Sequence, residues 1–135
     1  MNILDISTVE YFLSRFYHCY DSIIRCITMI TINESSTSKA QVILSARDEE
    51  GDDDGWINLN IKIENLNDFI GRNPDNYTNE VLSDGIKIGF YDGLIYLDFE
   101  PYTDEPEGIE DFKRSNCLFI GKEIYWETMI YSENC

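Results

Sequence analysis

Apolar residues recur along this chain in two rhythms, and the change from one to the other separates its elements. Near the start, Val9, Phe12, Leu13 and Phe16 fall at helical spacing. Ser7-Thr8-Val9-Glu10 just there has the form of a capping box, a hydroxyl residue followed three positions later by glutamate. A short helix over about Thr8 to Tyr17 is expected. From Ser22 to Ile32 the period shortens to two. Ile24, Cys26, Thr28, Ile30 and Ile32 fall on one face and Ile23, Arg25, Ile27, Met29 and Thr31 on the other, the pattern of a strand covered on both sides. Asn33 to Lys39 is a Ser- and Thr-rich loop by composition, and Ala40 to Ala46 resumes the strand pattern, so the two strands should form a hairpin.

Arg47 to Gly55 is an acidic loop. Beyond it, Ile57, Leu59, Ile61 and Ile63 alternate with Asn58, Asn60, Lys62 and Glu64, the cleanest period-two signal in the chain. Asn65 to Asn76 reads as a connection with Gly71 and Pro74 and room for one helical turn at Leu66 to Ile70. Ile86 to Tyr91 and Leu94 to Phe99 flank Asp92-Gly93, a dipeptide suited to a two-residue type I′ turn, and predict a second hairpin. Pro101 to Asp111 is a second acidic loop, and Phe112 to Ser115 a short helical turn. Cys117 to Ile120 and Lys122 to Tyr131 are strands, either a hairpin about Gly121 or one long bulged strand. About seven strands with short connections and one N-terminal helix predict an α+β chain. It is mainly a meandering antiparallel sheet, curled or folded sandwich-like on itself, forming a single domain over 1–135.

Composition narrows what such a domain could do. With 43% hydrophobic and 13% aromatic residues the chain is too apolar to be a disordered polyanion, although 26 Asp and Glu against 10 Lys and Arg leave a net charge of −16. That field repels nucleic-acid phosphates and anionic lipid headgroups and attracts basic proteins or cations. The beginning lacks a basic, apolar leader, and no apolar run approaches the length that spans a bilayer, so a cytoplasmic protein is expected. Cys19, Cys26, Cys117 and Cys135 form no C-x-x-C pair and read as reduced thiols rather than a disulfide framework or a zinc site.

Three constellations bear on chemistry. Glu50, Asp52 and Asp54 before Gly55 resemble the opening of a calcium loop, but Ile61 stands where the closing bidentate carboxylate is required, which excludes an EF-hand and favours a solvated hairpin loop over a weak, irregular calcium site. Asp98 and Glu100, two apart on a strand, share a face as an acid/base pair would, or are simply two solvated charges beside an acidic loop. His18, the only histidine, adjoins Cys19. Sequence neighbours point their side chains apart, so a structural role at the junction of helix and first strand, with Asp21 as a hydrogen-bond partner, is the simpler reading. No phosphate-binding, dinucleotide, nucleophile-elbow or zinc-protease motif occurs. No enzyme activity, cofactor or metal is therefore expected.

The placement of acid says more. Asp48, Glu49, Glu50, Asp52, Asp53 and Asp54 lie in the first acidic loop, and Asp98, Glu100, Asp104, Glu105, Glu107, Glu110 and Asp111 in the second stretch, together half of all acidic residues. Gathering like charge in loops costs stability that docking of a cationic partner would return. Except for Asp98, these residues, with Tyr102, are the expected partner-binding set, and Tyr77 and Tyr102 are its aromatic anchors.

Three stretches carry a resemblance: Phe16-Tyr17-His18-Cys19-Tyr20-Asp21-Ser22-Ile23-Ile24, Asp92-Gly93-Leu94-Ile95-Tyr96-Leu97-Asp98-Phe99 and Ile120-Gly121-Lys122-Glu123-Ile124-Tyr125-Trp126-Glu127. They resemble recurrent segments of small β-rich bacterial proteins, many of them immunity proteins of polymorphic toxin and contact-dependent inhibition systems. The resemblance implies an acidic surface that covers the basic cleft of one cognate toxin domain, often a nuclease, and it marks no individual contact residue. A β-rich binding or structural module without a toxin partner is the alternative, and a small hydrolase using Asp98, Glu100 and His18 a third.

Overall fold

The computed structural model describes residues 1–31, 38–52 and 55–135, so the connection between the first two long strands, and Asp53 and Asp54, lie outside the described residues. The strands are β1 (Asn2–Leu4), β2 (Ser22–Thr31), β3 (Ser38–Arg47), β4 (Trp56–Gly71), β5 (Val81–Leu82), β6 (Lys87–Tyr91), β7 (Leu94–Asp98) and β8 (Cys117–Met129). Two short α-helices accompany them, α1 (Val9–Arg15) and α2 (Ile109–Phe112). All eight strands join one antiparallel sheet in the order β5-β2-β3-β4-β8-β7-β6, with β1 added on β8, and the sheet curls into a half-barrel. A single curled sheet replaces the sandwich-like option.

The alternation read from the sequence sets the inner face. Val42 pairs with Ile61, Leu44 with Leu59, Ile61 with Trp126 and Ile63 with Ile124, and all of these are buried. Helix α1 lies across this face because its apolar stripe has to leave water. Phe12 and Phe16 meet Trp126 edge-on at 5.4 and 5.3 Å, and each fully buried ring contributes about 1.5–3 kcal/mol. A smaller cluster of Tyr96, Phe112, Leu118 and Ile120 covers the opposite face of β7 and β8 beneath α2. Leu118-Phe119-Ile120 is therefore apolar without alternation.

Several expectations change. β4 runs sixteen residues to Gly71 instead of ending at Glu64 before a helical turn, because β8 is long enough to pair with its whole length. A register shift between Leu66 and Asp68, beside the left-handed Asn65 (φ 52°), hides the second half of β4 from a period-two reading. β8 takes the bulged-strand option. Gly121 passes opposite Leu66 and Ile95, where an added Cβ would lie 2.5 Å from the Ile63 side chain. The short β1 and β5 were not anticipated. The second helical turn starts at Ile109, three residues before the expected Phe112.

The capping box does not form. Asp5 accepts from the Ser7 and Thr8 amides and the Ser7 hydroxyl, while Thr8 makes no side-chain cap to α1. Cys26 and Cys135 are not reduced thiols. They form a disulfide with Cα atoms 5.9 Å apart, whereas Cys19 and Cys117 are free and buried as expected. The chain's fold brought the two together across 109 residues, a pairing that spacing alone cannot reveal.

Between α1 and β2 the chain makes an unusual turn. Tyr17, His18 and Cys19 take φ of 52°, 56° and 55°, and Asp21 follows at 60°. Left-handed backbone costs a non-glycine residue roughly 1–2 kcal/mol, so the turn has to be held from outside. Cys19 is fully buried, its amide donates to the Phe16 carbonyl at 2.8 Å, and the His18 carbonyl accepts from Ile86 at 2.9 Å. Gly85 makes that approach feasible, since a Cβ there would stand 2.5 Å from the His18 oxygen. His18 itself is exposed, its ring 6.2 Å from Tyr20, and its side chain makes no bond to Asp21.

Candidate functional site

The two acidic segments meet different fates when the chain folds. In the first, the sheet places Asp48 at the end of β3 against α1, and Arg15 grips it with two hydrogen bonds of 2.9 Å. Burial pushes the Asp48 carboxyl up, but the bonds from Arg15 and the Glu50 amide outweigh it and hold the carboxyl below the ordinary range. Glu50 lies 3.6 Å from the same guanidinium and accepts from the Tyr11 hydroxyl at 2.5 Å. Asp48 and Glu50 are thus matched inside the fold, and Glu50 is no longer poised as the first ligand of a calcium loop. Glu49 and Asp52 are exposed, and Asp53 and Asp54 lie outside the described residues.

The second stretch divides as well. Glu100 points into a groove of about 340 Å³ whose lining includes Glu80, Asp84, Tyr102, Arg114 and Asn116. Arg72 crosses beside it, 2.7 Å from Glu100 and 3.0 Å from Glu80. Burial pushes the Glu100 carboxyl up to about 7, the neighbouring Glu80 carboxylate adds to the rise, and Arg72 opposes it. Asp98 turns the other way. It is buried, accepts from the Ser115 hydroxyl at 2.5 Å and the Glu100 amide at 3.0 Å, and burial raises it to about 6. Its second oxygen has no partner among the described residues.

The pair predicted to share a face is therefore parted, because β7 ends at Asp98 and the chain turns between the two. His18 lines a separate hollow with Leu13, Ile86, Tyr91 and Phe112. Asp98, Glu100 and His18 do not line one pocket, so the arrangement needed for two-carboxylate hydrolysis is not assembled among them.

What stays uncompensated is the run from Asp104 to Asp111. Asp104, Glu105, Glu107 and Glu110 are exposed and Asp111 is half-buried, with no ion pair to any of them among the described residues. Asp111 accepts from the Glu107 amide at 3.0 Å, which folds the run back on itself over the start of α2. Beside it, Tyr102 is 59% exposed, propped by Arg114, whose guanidinium stacks 4.9 Å from the ring and donates to the hydroxyl at 3.1 Å. Tyr77, the other expected anchor, is fully buried. It accepts from the Arg72 amide at 2.6 Å, donates to the Asn116 carbonyl, and has no surface left to offer a partner.

Sequence reading missed the internal cations Arg15 and Arg72, since nothing in their neighbourhood announces a partner 33 or 28 residues away. It also missed a polar ladder on the outer sheet face. Asn58 and Asn60 are almost fully buried, with Gln41 donating to Asn60 at 2.8 Å and Ser45 to Asn58 at 2.8 Å. The available signal was residue type, because amides rather than charges occupy those two alternating positions.

No protein family, curated protein or solved structure matches this chain.

Proposed function

We propose that this protein is an immunity protein, a binder that neutralises one basic toxin domain, nuclease-like in character, by docking it on the acidic 104–111 segment. The supporting observation is the contrast between the two acidic segments. Arg15 and Arg72 compensate Asp48, Glu50 and Glu100 internally, whereas Asp104, Glu105, Glu107, Glu110 and Asp111 stand together with no ion pair among the described residues. Like charges held in one segment repel, and an incoming basic surface relieves that repulsion while it is steered by the field of a −16 molecule. Tyr102 supplies a rigid aromatic contact at the edge of the same surface. Glu49 and Asp52 extend the negative field from the other end of the sheet.

This reading places the protein in the bacterial cytoplasm, with the toxin as its partner and no cofactor. No helix among the described residues is long and apolar enough to cross a membrane, in keeping with a partner that is a protein and not a bilayer.

The test is co-expression with the toxin-like reading frame encoded beside this gene, followed by co-purification and a growth-protection assay. Wild type should protect. A variant carrying D104N, E105Q, E107Q, E110Q and D111N should associate at least tenfold more slowly at low salt and lose most of the salt dependence of its on-rate. Equal association of the two proteins, or failure of wild type to bind that product, would remove the reading.

A further inference from the structure

The segment that follows β8 does not continue the sheet. It leaves at Ile130, which is 92% exposed, and lies back over the outer face of β2, β3 and β4 until Cys135 reaches Cys26. Beneath it is a set of donors gathered around Arg25, a guanidinium only 8% exposed. Arg25 donates to the Ser45 hydroxyl at 2.8 Å, to the Asn79 side chain at 3.1 Å and to the Tyr131 hydroxyl at 3.2 Å, and it has no carboxylate partner among the described residues. Asn58 donates to the Ser132 carbonyl at 3.0 Å, and the Ser45 hydroxyl lies 3.3 Å from the same oxygen.

We infer that residues 130–135 are a redox-released strap, held over the Arg25, Ser45 and Asn58 cluster by the Cys26–Cys135 disulfide and freed when that bond is reduced. The balance of contacts carries the argument. Among the described residues, noncovalent anchoring to the domain comes from the Tyr131 and Ser132 hydrogen bonds, the Arg25 guanidinium 6.0 Å from the Tyr131 ring, a 3.3 Å contact of the Cys135 sulfur with the Arg25 carbonyl, and an edge contact between the Tyr131 and Trp56 rings at 6.3 Å. Ile130, Tyr131, Glu133, Asn134 and Cys135 stay exposed, so almost no apolar burial is added. Fixing six residues costs at least as much, residue for residue, as a neutral hydrogen bond returns. With so few bonds for six residues, the crosslink is what holds the strap down.

A buried guanidinium whose one hydrogen bond to the strap goes to a tyrosine hydroxyl, rather than to a carboxylate, is also cheap to uncover, because solvent can replace that partner. Opening would present a cationic spot on an otherwise negative molecule. The step itself is thiol–disulfide exchange with a dithiol. One thiolate of the reductant attacks a sulfur of the pair, the Cys26–Cys135 bond breaks, and the second thiol closes the reductant's own ring. Two electrons and two protons thereby pass to Cys26 and Cys135. The reverse step needs a disulfide oxidant. Cys19 and Cys117 are buried in the core and take no part.

The experiment compares the full chain after treatment with oxidised glutathione and after dithiothreitol. Peptide mapping should find a Cys26–Cys135 crosslink in the first and none in the second, with far-UV circular dichroism unchanged. Chymotrypsin should cut after Tyr131 at least tenfold faster in the reduced protein, and iodoacetamide should label Cys26 and Cys135 well before Cys19 and Cys117. The C26S and C135S variants should be cut like the reduced form. If oxidised glutathione produces no such crosslink, or the segment is equally protected in both states, the strap is overturned. It is also overturned if reduction exposes Cys19 and Cys117 at the same rate, since the core would then be opening together with the segment. Should either serine variant fail to fold, reduced wild type still supplies the comparison.

Discussion

Replacing Asp98 with asparagine isolates the cost of one buried carboxylate. In the fold Asp98 is 1% exposed, one oxygen takes the Ser115 hydroxyl and the Glu100 amide, and the other faces no donor among the described residues. Burial raises its proton affinity so that it ionises at about 6, against 3.8 in an unfolded chain. Below 3.8 it is protonated in both states and its burial costs little. As pH rises, the unfolded chain ionises first and the equilibrium is drawn toward it, and the loss is complete once pH passes about 6. At 1.36 kcal/mol per tenfold difference in proton affinity, that loss is roughly 3 kcal/mol. Asparagine stays neutral throughout, keeps an acceptor for Ser115 and Glu100, and gives up about 1 kcal/mol through weaker hydrogen bonds. The Asp98→Asn protein should therefore be less stable than wild type by about 0.5 kcal/mol at pH 4, where the unfolded carboxyl is already half ionised, and more stable by about 2 kcal/mol at pH 8. Urea unfolding followed by circular dichroism at the two pH values measures both. The other acidic residues titrate alike in both proteins, so the difference of differences belongs to Asp98. A change of less than about 1 kcal/mol between pH 4 and pH 8 would refute the assignment of its cost to burial.

Three more perturbations test the frame. Arg15→Ala leaves Asp48 buried without its partner and should lower stability by about 3–5 kcal/mol in urea unfolding, whereas the exposed Arg47→Ala should cost much less. Gly85→Ala puts a methyl against the His18 carbonyl at a left-handed position (φ 68°) and should cost about 1–3 kcal/mol, visible as a lower thermal midpoint. Cys135→Ser opens a loop of 109 residues in the unfolded chain and should lower the unfolding free energy by about 4–5 kcal/mol if chain entropy dominates. Adding dithiothreitol to wild type should reproduce that fall, and a midpoint unmoved by either would count against the crosslink.

The acidic run from Asp104 to Asp111 was legible as a charged, turn-rich loop because its residues are neighbours in the chain. The matching of Asp48 and Glu100 was not. Whether a carboxylate is free or neutralised depends on which arginine the sheet brings to it, and Arg15 and Arg72 reach their partners only through the pairing of strands and the packing of α1. Tyr77 shows the same limit. Beside Asp75 and Thr78 it reads as a surface tyrosine, yet the fold surrounds it and directs its hydroxyl to Asn116.

By itself the sequence determined the helix of Val9 to Arg15, the alternating inner face of β3 and the first half of β4, and the Asp92-Gly93 hairpin. All three follow from side-chain period and turn chemistry, which act between near neighbours. Only the tertiary structure decided that β4 and β8 run unbroken through their register shift, that Cys26 meets Cys135, and that the segment from Tyr17 to Cys19 is forced left-handed. These depend on hydrogen bonds and contacts between residues far apart in the chain, whose free energy overrides local preference and leaves no periodic trace in the residues themselves.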